Sequence, residues 1–191
     1  MEVRHFLDTD IEHASKIAHK VWGDLYTRES DELQNLIYEF MVHYYDLNRD
    51  FSFSIFDEKL NGFLLAASKH DKNNSYEGYL ENLKKLDEKE QKIGKDLLEY
   101  LNECGKAVKE EMNDDDIMLG LFISQEKGCG KALLTKLTDT CKEKNIKNIY
   151  LWTDTTCDHD YYDKNNFTLV NEVETLVNGQ KIRTIIYKKA V

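Results

Sequence analysis

The sequence has no proline in 191 residues, where ordinary usage would supply about nine or ten. Glycine is also sparse, at nine. Together these exclude collagen-like and low-complexity chains. Long apolar runs are missing too: none approaches the ~18–20 residues that span a bilayer, so no membrane partner is expected. Cysteine is limited to Cys104, Cys129, Cys141 and Cys157, far apart and without a C-x-x-C pair. That spacing argues against a disulfide scaffold or a zinc site, and predicts reduced thiols and no metal. The first residues, Met1-Glu2-Val3-Arg4-His5, lack the basic start and apolar stretch of a signal peptide, so a cytoplasmic location is expected. Positive charge is short as well, with 26 Lys and Arg against 36 Asp and Glu and a formal net charge of -10. An acidic balance argues against a nucleic-acid partner.

What is present suits one folded domain over residues 1–191. Hydrophobic residues make up 41% of the chain, enough for a core. The acidity is uneven. Residues 1–71 hold 7 basic and 14 acidic side chains, whereas residues 113–191 hold 11 and 12. The N-terminal third is either a solvated acidic surface or an acidic mouth for a cationic partner, with anion binding left to the C-terminal third.

The pattern of elements is α/β. Residues 3–7 read as a strand. A helix follows with Ile11, Ala14, Ile17, Ala18, Val21 and Trp22 at helical spacing and Gly23 as its stop. Ser30 caps a second helix with Leu33, Leu36, Ile37, Phe40, Met41 and Tyr44 on one face. Residues 51–56 and 63–67 read as a hairpin turned at Asn61-Gly62. Residues 72–112 change to a Lys-, Glu- and Leu-rich helical insertion. A short helix over Tyr76–Leu86 precedes a long stripe of Ile93, Leu97, Leu101, Cys104, Val108 and Met112. This segment either lids an acceptor site or forms a homodimer contact. Thereafter strand and helix alternate: an apolar strand over 116–123, a helix after Gly128, a strand over 148–153, a short helix over 158–164, and closing strands around Asn178-Gly179. The order implies a mixed, mostly antiparallel central sheet flanked by helices, with one parallel crossover.

The chemistry-bearing piece is the turn from strand to helix at Gln125-Glu126-Lys127-Gly128-Cys129-Gly130-Lys131-Ala132. Glycines there leave backbone N–H groups unobstructed, and a helix N-terminus favours an anion such as a pyrophosphate. Lys127 and Lys131 add positive charge. Neither the dinucleotide fingerprint nor the P-loop is met, since Leu133 stands at the third glycine position of the first and Ala132 follows Lys131.

Gln125-x-x-Gly128-x-Gly130 after an apolar strand resembles the acetyl-CoA loop of the GCN5-related N-acetyltransferases, the GNAT superfamily. Tyr161-Tyr162-Asp163-Lys164-Asn165-Asn166-Phe167 resembles a second segment of that family, with Asn166 at its usual glycine. The element order also fits, apart from the 72–112 insertion. This resemblance implies the family's fold, acetyl-CoA as co-substrate, and direct attack by a primary amine on the thioester. It implies that Leu121, Phe122 and Ile123 bind the pantetheine arm through their backbone, and that an amide near Leu121 stabilises the oxyanion. Amides from Gly128, Cys129, Gly130, Lys131 and Ala132 would cradle the pyrophosphate. The strand lacks the usual proline and the loop is shorter, so either Gln125 or Lys127 fills the polar position. Tyr162 matches the tyrosine that protonates the departing thiolate.

A carboxylate is then needed to deprotonate the amine, and Asp116 and Asp154 are the candidates. Cys157 lacks recognisable His and Asn partners and reads as structural, and Cys129 as a small packing residue. Trp22, Tyr26, Tyr44 and Tyr45 offer aromatic surface for the acceptor, although Trp22 and Tyr44 also read as core. The acceptor expected from charge is a cationic small-molecule or peptide amine. The alternative is a catalytically idle acetyl-CoA-binding module acting in regulation or interaction.

Overall fold

The structure is a computed structural model that describes residues 2–26, 30–155, 157, 159–177 and 180–191, without the side chains of 24–26, 175–177 and 180. Its strands are β1 (Val3–His5), β2 (Phe53–Asp57), β3 (Lys59–Ser68), β4 (Asp116–Ser124), β5 (Asn148–Asp154), β6 (Thr168–Val177) and β7 (Gln180–Ala190). The helices are α1 (Ile11–Tyr26), α2 (Asp31–Tyr45), α3 (Tyr76–Leu83), α4 (Glu88–Glu111), α5 (Cys129–Glu143) and α6 (Asp160–Lys164). The seven strands form one sheet in the order β1-β2-β3-β4-β5-β7-β6. Only β4 and β5 run parallel, joined by the crossover through α5.

Each sheet face carries its own core. On one face Phe63, Leu65, Met118, Leu121, Tyr150 and Ile186 meet α1, α2, α3 and α4. On the other, Leu64, Ala66, Ile117, Leu119, Ile149 and Leu151 meet Leu133, Leu134 and Leu137 of α5. Alternate residues of β3, β4 and β5 supply the two cores, as the period of two along a strand requires.

Several helix starts follow the side-chain chemistry. Ser30 accepts from the Leu33 amide at 3.2 Å, and the Asp87 carboxylate accepts from the Glu90 amide at 2.9 Å. The insertion packs on the sheet through α4, whose Leu97, Leu101, Cys104 and Val108 are buried, along with Tyr100 beside them.

Four local expectations are corrected. Gly23 lies inside α1, which continues to Tyr26. The β2–β3 reversal is made at Asp57-Glu58-Lys59, with Glu58 at φ +59°, rather than at Asn61-Gly62. Gly62 sits within β3, where an added Cβ would lie 3.0 Å from the Ile123 carbonyl oxygen, so the glycine serves close strand approach. Helix α3 ends at Leu83, and α6 begins at Asp160. The turn expected at Asn178-Gly179 lies outside the described residues.

The N-terminal edge is held by ion pairs in which the Asp10 and Asp46 side chains are buried. Arg4 makes two 2.7 Å bonds to the Asp10 carboxylate, which also accepts from the Leu7 amide and the Ser54 hydroxyl. Arg49 bonds Asp46 and Asp8, and its Nη1 donates to the Phe6 carbonyl at 2.8 Å. Burial alone would push the Asp10 carboxyl up, but Arg4, Leu7 and Ser54 together hold it below the usual carboxylate range. Its folded value is depressed, so its stabilisation is complete above the ordinary carboxylate range and is lost as pH falls through the folded value. The Asp10→Asn variant should therefore be less stable near pH 7 and lose less stability on acidification. Urea denaturation at pH 7 and below pH 4 measures both; equal losses for the two proteins would remove Asp10 from the acid transition.

Candidate functional site

The site begins where β4 and β5 separate. They pair in parallel only at Asp116–Asn148, Ile117–Ile149 and Met118–Tyr150. Beyond those three pairs β4 stays bonded to β3, and β5 stays bonded to β7 through Asp154. The register of β4 against β3 shifts between Leu65 and Ala66, whose partners are Leu121 and Leu119, leaving Gly120 as the extra, bulged residue. A bulge bends and twists its strand, which turns β4 away from β5. Gly120 is also required sterically, since an added Cβ would lie 2.1 Å from Tyr45 Cδ1. The ring of Tyr45, from the end of α2, thus fills the place of a side chain on β4. The resulting cleft has a volume of about 650 Å³.

One end of the cleft meets the start of α5. Gly128 adopts φ +94° as the N-cap, and no side chain caps the helix or places an acid in its first turn. Gly130 lies tight against the sheet, where a Cβ would be 3.3 Å from both Phe122 Cζ and Tyr161 Oη. Gly128, Gly130, Lys127 and Lys131 line the cleft together with Ser124 and Glu126. Cys129 and Ala132 do not. The Cys129 amide bonds the Glu126 carbonyl at 3.1 Å, and the Ala132 amide bonds the Gly128 carbonyl at 3.0 Å. Of the five residues whose amides were expected to form a cradle, Gly128, Gly130 and Lys131 line the cleft. Gln125 is also outside the cleft, with its amide bonded to the Asn61 carbonyl at 3.0 Å, while Lys127 is inside. Cys129 is buried, and that burial raises its thiol pKa above the ordinary value.

Tyr161 and Tyr162 of α6 both line the cleft. Tyr162 stands edge-on to Tyr161 and to Phe167, with centroids 5.6 and 5.4 Å apart. Asn166 takes φ +62° before the buried Phe167, a conformation that Asn tolerates in place of glycine. Tyr161, whose sequence motif signals no separate role for it, packs on Phe122 with ring centroids 5.8 Å apart, and burial pushes its phenol up.

The other end of the cleft is apolar. Val21 and Trp22 of α1, Met41 and Tyr45 of α2, Leu101 of α4 and Trp152 of β5 line it. Asp154, at the end of β5, lines it too and is 1% exposed. Its Oδ2 accepts from the Tyr100 hydroxyl at 2.9 Å. Trp152 Nε1 is buried here with no hydrogen-bond partner among the described residues, a state costing about 1–3 kcal/mol unless something meets it.

Asp116 is not brought to the cleft. It is fully buried at the opposite end of β4, where its carboxylate accepts from the Asn113 amide at 2.8 Å and the Asn148 side chain at 2.7 Å. It secures the turn into β4 and the start of the parallel pair. Tyr44 is core, with its hydroxyl bonding Asn102. The Tyr26 side chain lies outside the described residues. Cys157 lines the cleft, but the His159 ring contacts its carbonyl at 3.3 Å.

Among the described residues, residues 1–71, read from the sequence as a possible acidic mouth, contribute Val21, Trp22, Met41 and Tyr45 to the cleft, all uncharged. Several of their acids are instead paired: Asp10 with Arg4, Asp46 and Asp8 with Arg49, Glu12 with Lys16 and Asp50 with Lys144. Among the described residues no helix is long and apolar enough to cross a membrane, and no group of three or more His, Cys, Asp or Glu is placed to hold a metal ion.

No protein-family model matches the chain, and no curated protein matches it. Solved structures do. The ribosomal-protein-alanine N-acetyltransferase of Brucella melitensis aligns over all of both chains with TM-score 0.57 at 13% identity. A protein assigned to the GNAT family from Desulfovibrio desulfuricans aligns over 99% of this chain and 98% of its own, with TM-score 0.60 at 10% identity. The C-terminal condensation domain of Ebony, solved with beta-alanyl-dopamine, aligns over 100% and 98%, with TM-score 0.62 at 12% identity. The fold is that of the GCN5-related N-acetyltransferases. It extends over the whole chain, in which α3 and α4 lie between β3 and β4.

The Gly120→Ala substitution tests the bulge. Its methyl group must displace the buried Tyr45 ring. The expected loss is about 1–3 kcal/mol in urea denaturation, typical of overpacking. An unchanged midpoint would show that Tyr45 yields without cost.

Proposed function

We propose that the chain is an N-acetyltransferase that moves an acetyl group from acetyl-CoA to a primary amine. The observation that carries this is the continuity of the cleft. It runs from the uncapped start of α5, through the gap between β4 and β5, to the buried Asp154 carboxylate. One end suits a polyanion and the other an ammonium.

The residues fit the co-substrate. Gly128, Gly130 and Lys131 would hold its pyrophosphate through backbone amides, with the Lys127 and Lys131 side chains adding charge. The edge of β4 beyond Met118 lacks ladder partners on the β5 side, so Leu121 to Ile123 would bind the pantetheine arm as an added strand. When bound, acetyl-CoA supplies the thioester carbonyl and a thiolate leaving group.

The chain's own groups then move protons and charge. The Asp154 carboxylate accepts the proton that the acceptor ammonium must lose before its nitrogen can attack. An amide at the Gly120–Leu121 bulge donates to the carbonyl oxygen as negative charge develops there. Tyr162 gives its phenol proton to the sulfur as the C–S bond breaks, and regains one from the acylated nitrogen. A phenol with an ordinary pKa near 10 suits a basic leaving thiolate.

Calorimetric titration with acetyl-CoA followed by a free-thiol release assay with mixed amines tests this. Saturable binding and amine-dependent thiol release are expected. Binding without release for any amine would instead support an idle acetyl-CoA-binding module. In the enzyme, Tyr162→Phe should lower kcat by about 10²–10⁴-fold while leaving acetyl-CoA affinity within about threefold. Unchanged kcat would assign the proton to another group.

A further inference from the structure

Helix α4 belongs to the inserted segment, yet it reaches the functional cleft. Leu101 lines the cleft, and Tyr100 beside it places its hydroxyl 2.9 Å from Asp154 Oδ2. The Tyr100 ring stands edge-on to Trp152, with centroids 5.4 Å apart at 80°. The helix is fixed along its length. Ser30 bonds Glu90 near its start, Tyr44 bonds Asn102 at 3.0 Å, Cys104 Sγ lies 3.5 Å from Thr184 Oγ1, and Asn171 bonds Glu111 at 3.0 Å at its end. Ties at four points along α4 make it a wall of the cleft and not a flap over it.

We propose that this inserted helix builds the acceptor end, with Tyr100 as a positioning residue that holds Asp154 to receive the ammonium of an amine carried on an apolar or aromatic body. The inference rests on the acetyl-transfer reading and names its acceptor class. The wall residues Trp22, Met41, Tyr45, Leu101 and Trp152 are apolar or aromatic, and Asp154 is the one carboxylate among the described residues at that end. A single ammonium can be matched there. A polyamine would bring further charges into an apolar end with no second carboxylate among the described residues to pair them, which is unfavourable. The other cleft carboxylate, Glu126, stands by the start of α5. The Tyr100 hydroxyl fixes one carboxylate oxygen, so the group need not be ordered anew when the amine arrives.

The test uses the full chain, with 2-phenylethylamine as the apolar monoamine and spermidine as the polycation. Wild type should turn over 2-phenylethylamine with the higher kcat/KM. Tyr100→Phe should raise KM for 2-phenylethylamine about tenfold or more, as loss of a hydrogen bond to a charged group does. It should leave kcat within about threefold and acetyl-CoA affinity unchanged, a split that general loosening of the fold would not produce. Leu101→Val, which opens the wall by one methylene, should shift the kcat/KM ratio about tenfold toward 3-phenylpropylamine over 2-phenylethylamine. This second variant decides the matter if Tyr100→Phe does not fold. An unchanged KM in Tyr100→Phe, an unchanged ratio in Leu101→Val, or a preference for spermidine would each overturn the proposal. Acetyl-CoA binding by wild type without turnover of either amine would overturn it too. Absence of acetyl-CoA binding would instead overturn the acetyl-transfer reading, and this proposal with it.

Discussion

The site depends on two parallel strands that pair for three residues and then part. A sheet tolerates such a gap only if each strand keeps a partner on its other side. Here β3 holds β4 to its last residue, and β7 holds β5 to Asp154. The bulge at Gly120 supplies the bend, and Tyr45 occupies the space that any larger residue would need. Backbone groups of β4 that would otherwise be satisfied by β5 are left for something else, since buried N–H and C=O groups are rarely left unpaired. The same gap joins the two sheet faces, so one cleft reaches both cores.

The two ends of that cleft differ in charge because they are built from different elements. One end is the start of α5, where a left-handed Gly128 replaces a capping side chain and the positive pole of the helix is left uncovered. The other is made of apolar residues on α1, α2 and α4 around one buried carboxylate. The acidity of the N-terminal third has a different use. Among its acids, Asp10, Asp8 and Asp46 tie the chain to Arg4 and Arg49 near β1, an anchoring role.

The segment holding α3 and α4 adds to the cleft wall through Leu101. It enters between β3 and β4, and α4 lies across the face that also carries α1 and α2. Its contacts reach β5 through Tyr100 and Trp152 and β7 through Cys104 and Thr184. Burial pushes the Cys104 thiol up to about 11, consistent with a packing residue. A segment between β3 and β4 in the chain thus forms part of the cleft wall through Leu101.

Much of this was legible in the sequence because it is local. The helical stripes, the Ser30 cap, the single parallel crossover and the glycine turn into α5 each follow from spacing or from one residue's chemistry. Asn61-Gly62 misled because its dipeptide pattern signals a turn, whereas the close approach of Ile123 requires the glycine within a strand. Asp116 and Asp154 stand at strand ends and look alike in sequence. Only the register separates them, placing one at the paired end with Asn113 and Asn148 and the other at the parted end with Tyr100. Tyr100 falls on the buried side of α4, but its partner is 54 residues away, beyond any local pattern. The sequence by itself determined the elements and the anion-favouring turn, since those rest on dihedral preference and periodicity. The tertiary structure alone decided which carboxylate, which amides and which aromatic rings share the cleft. Those depend on where two strands stop pairing, a long-range packing outcome of Gly120 and Tyr45.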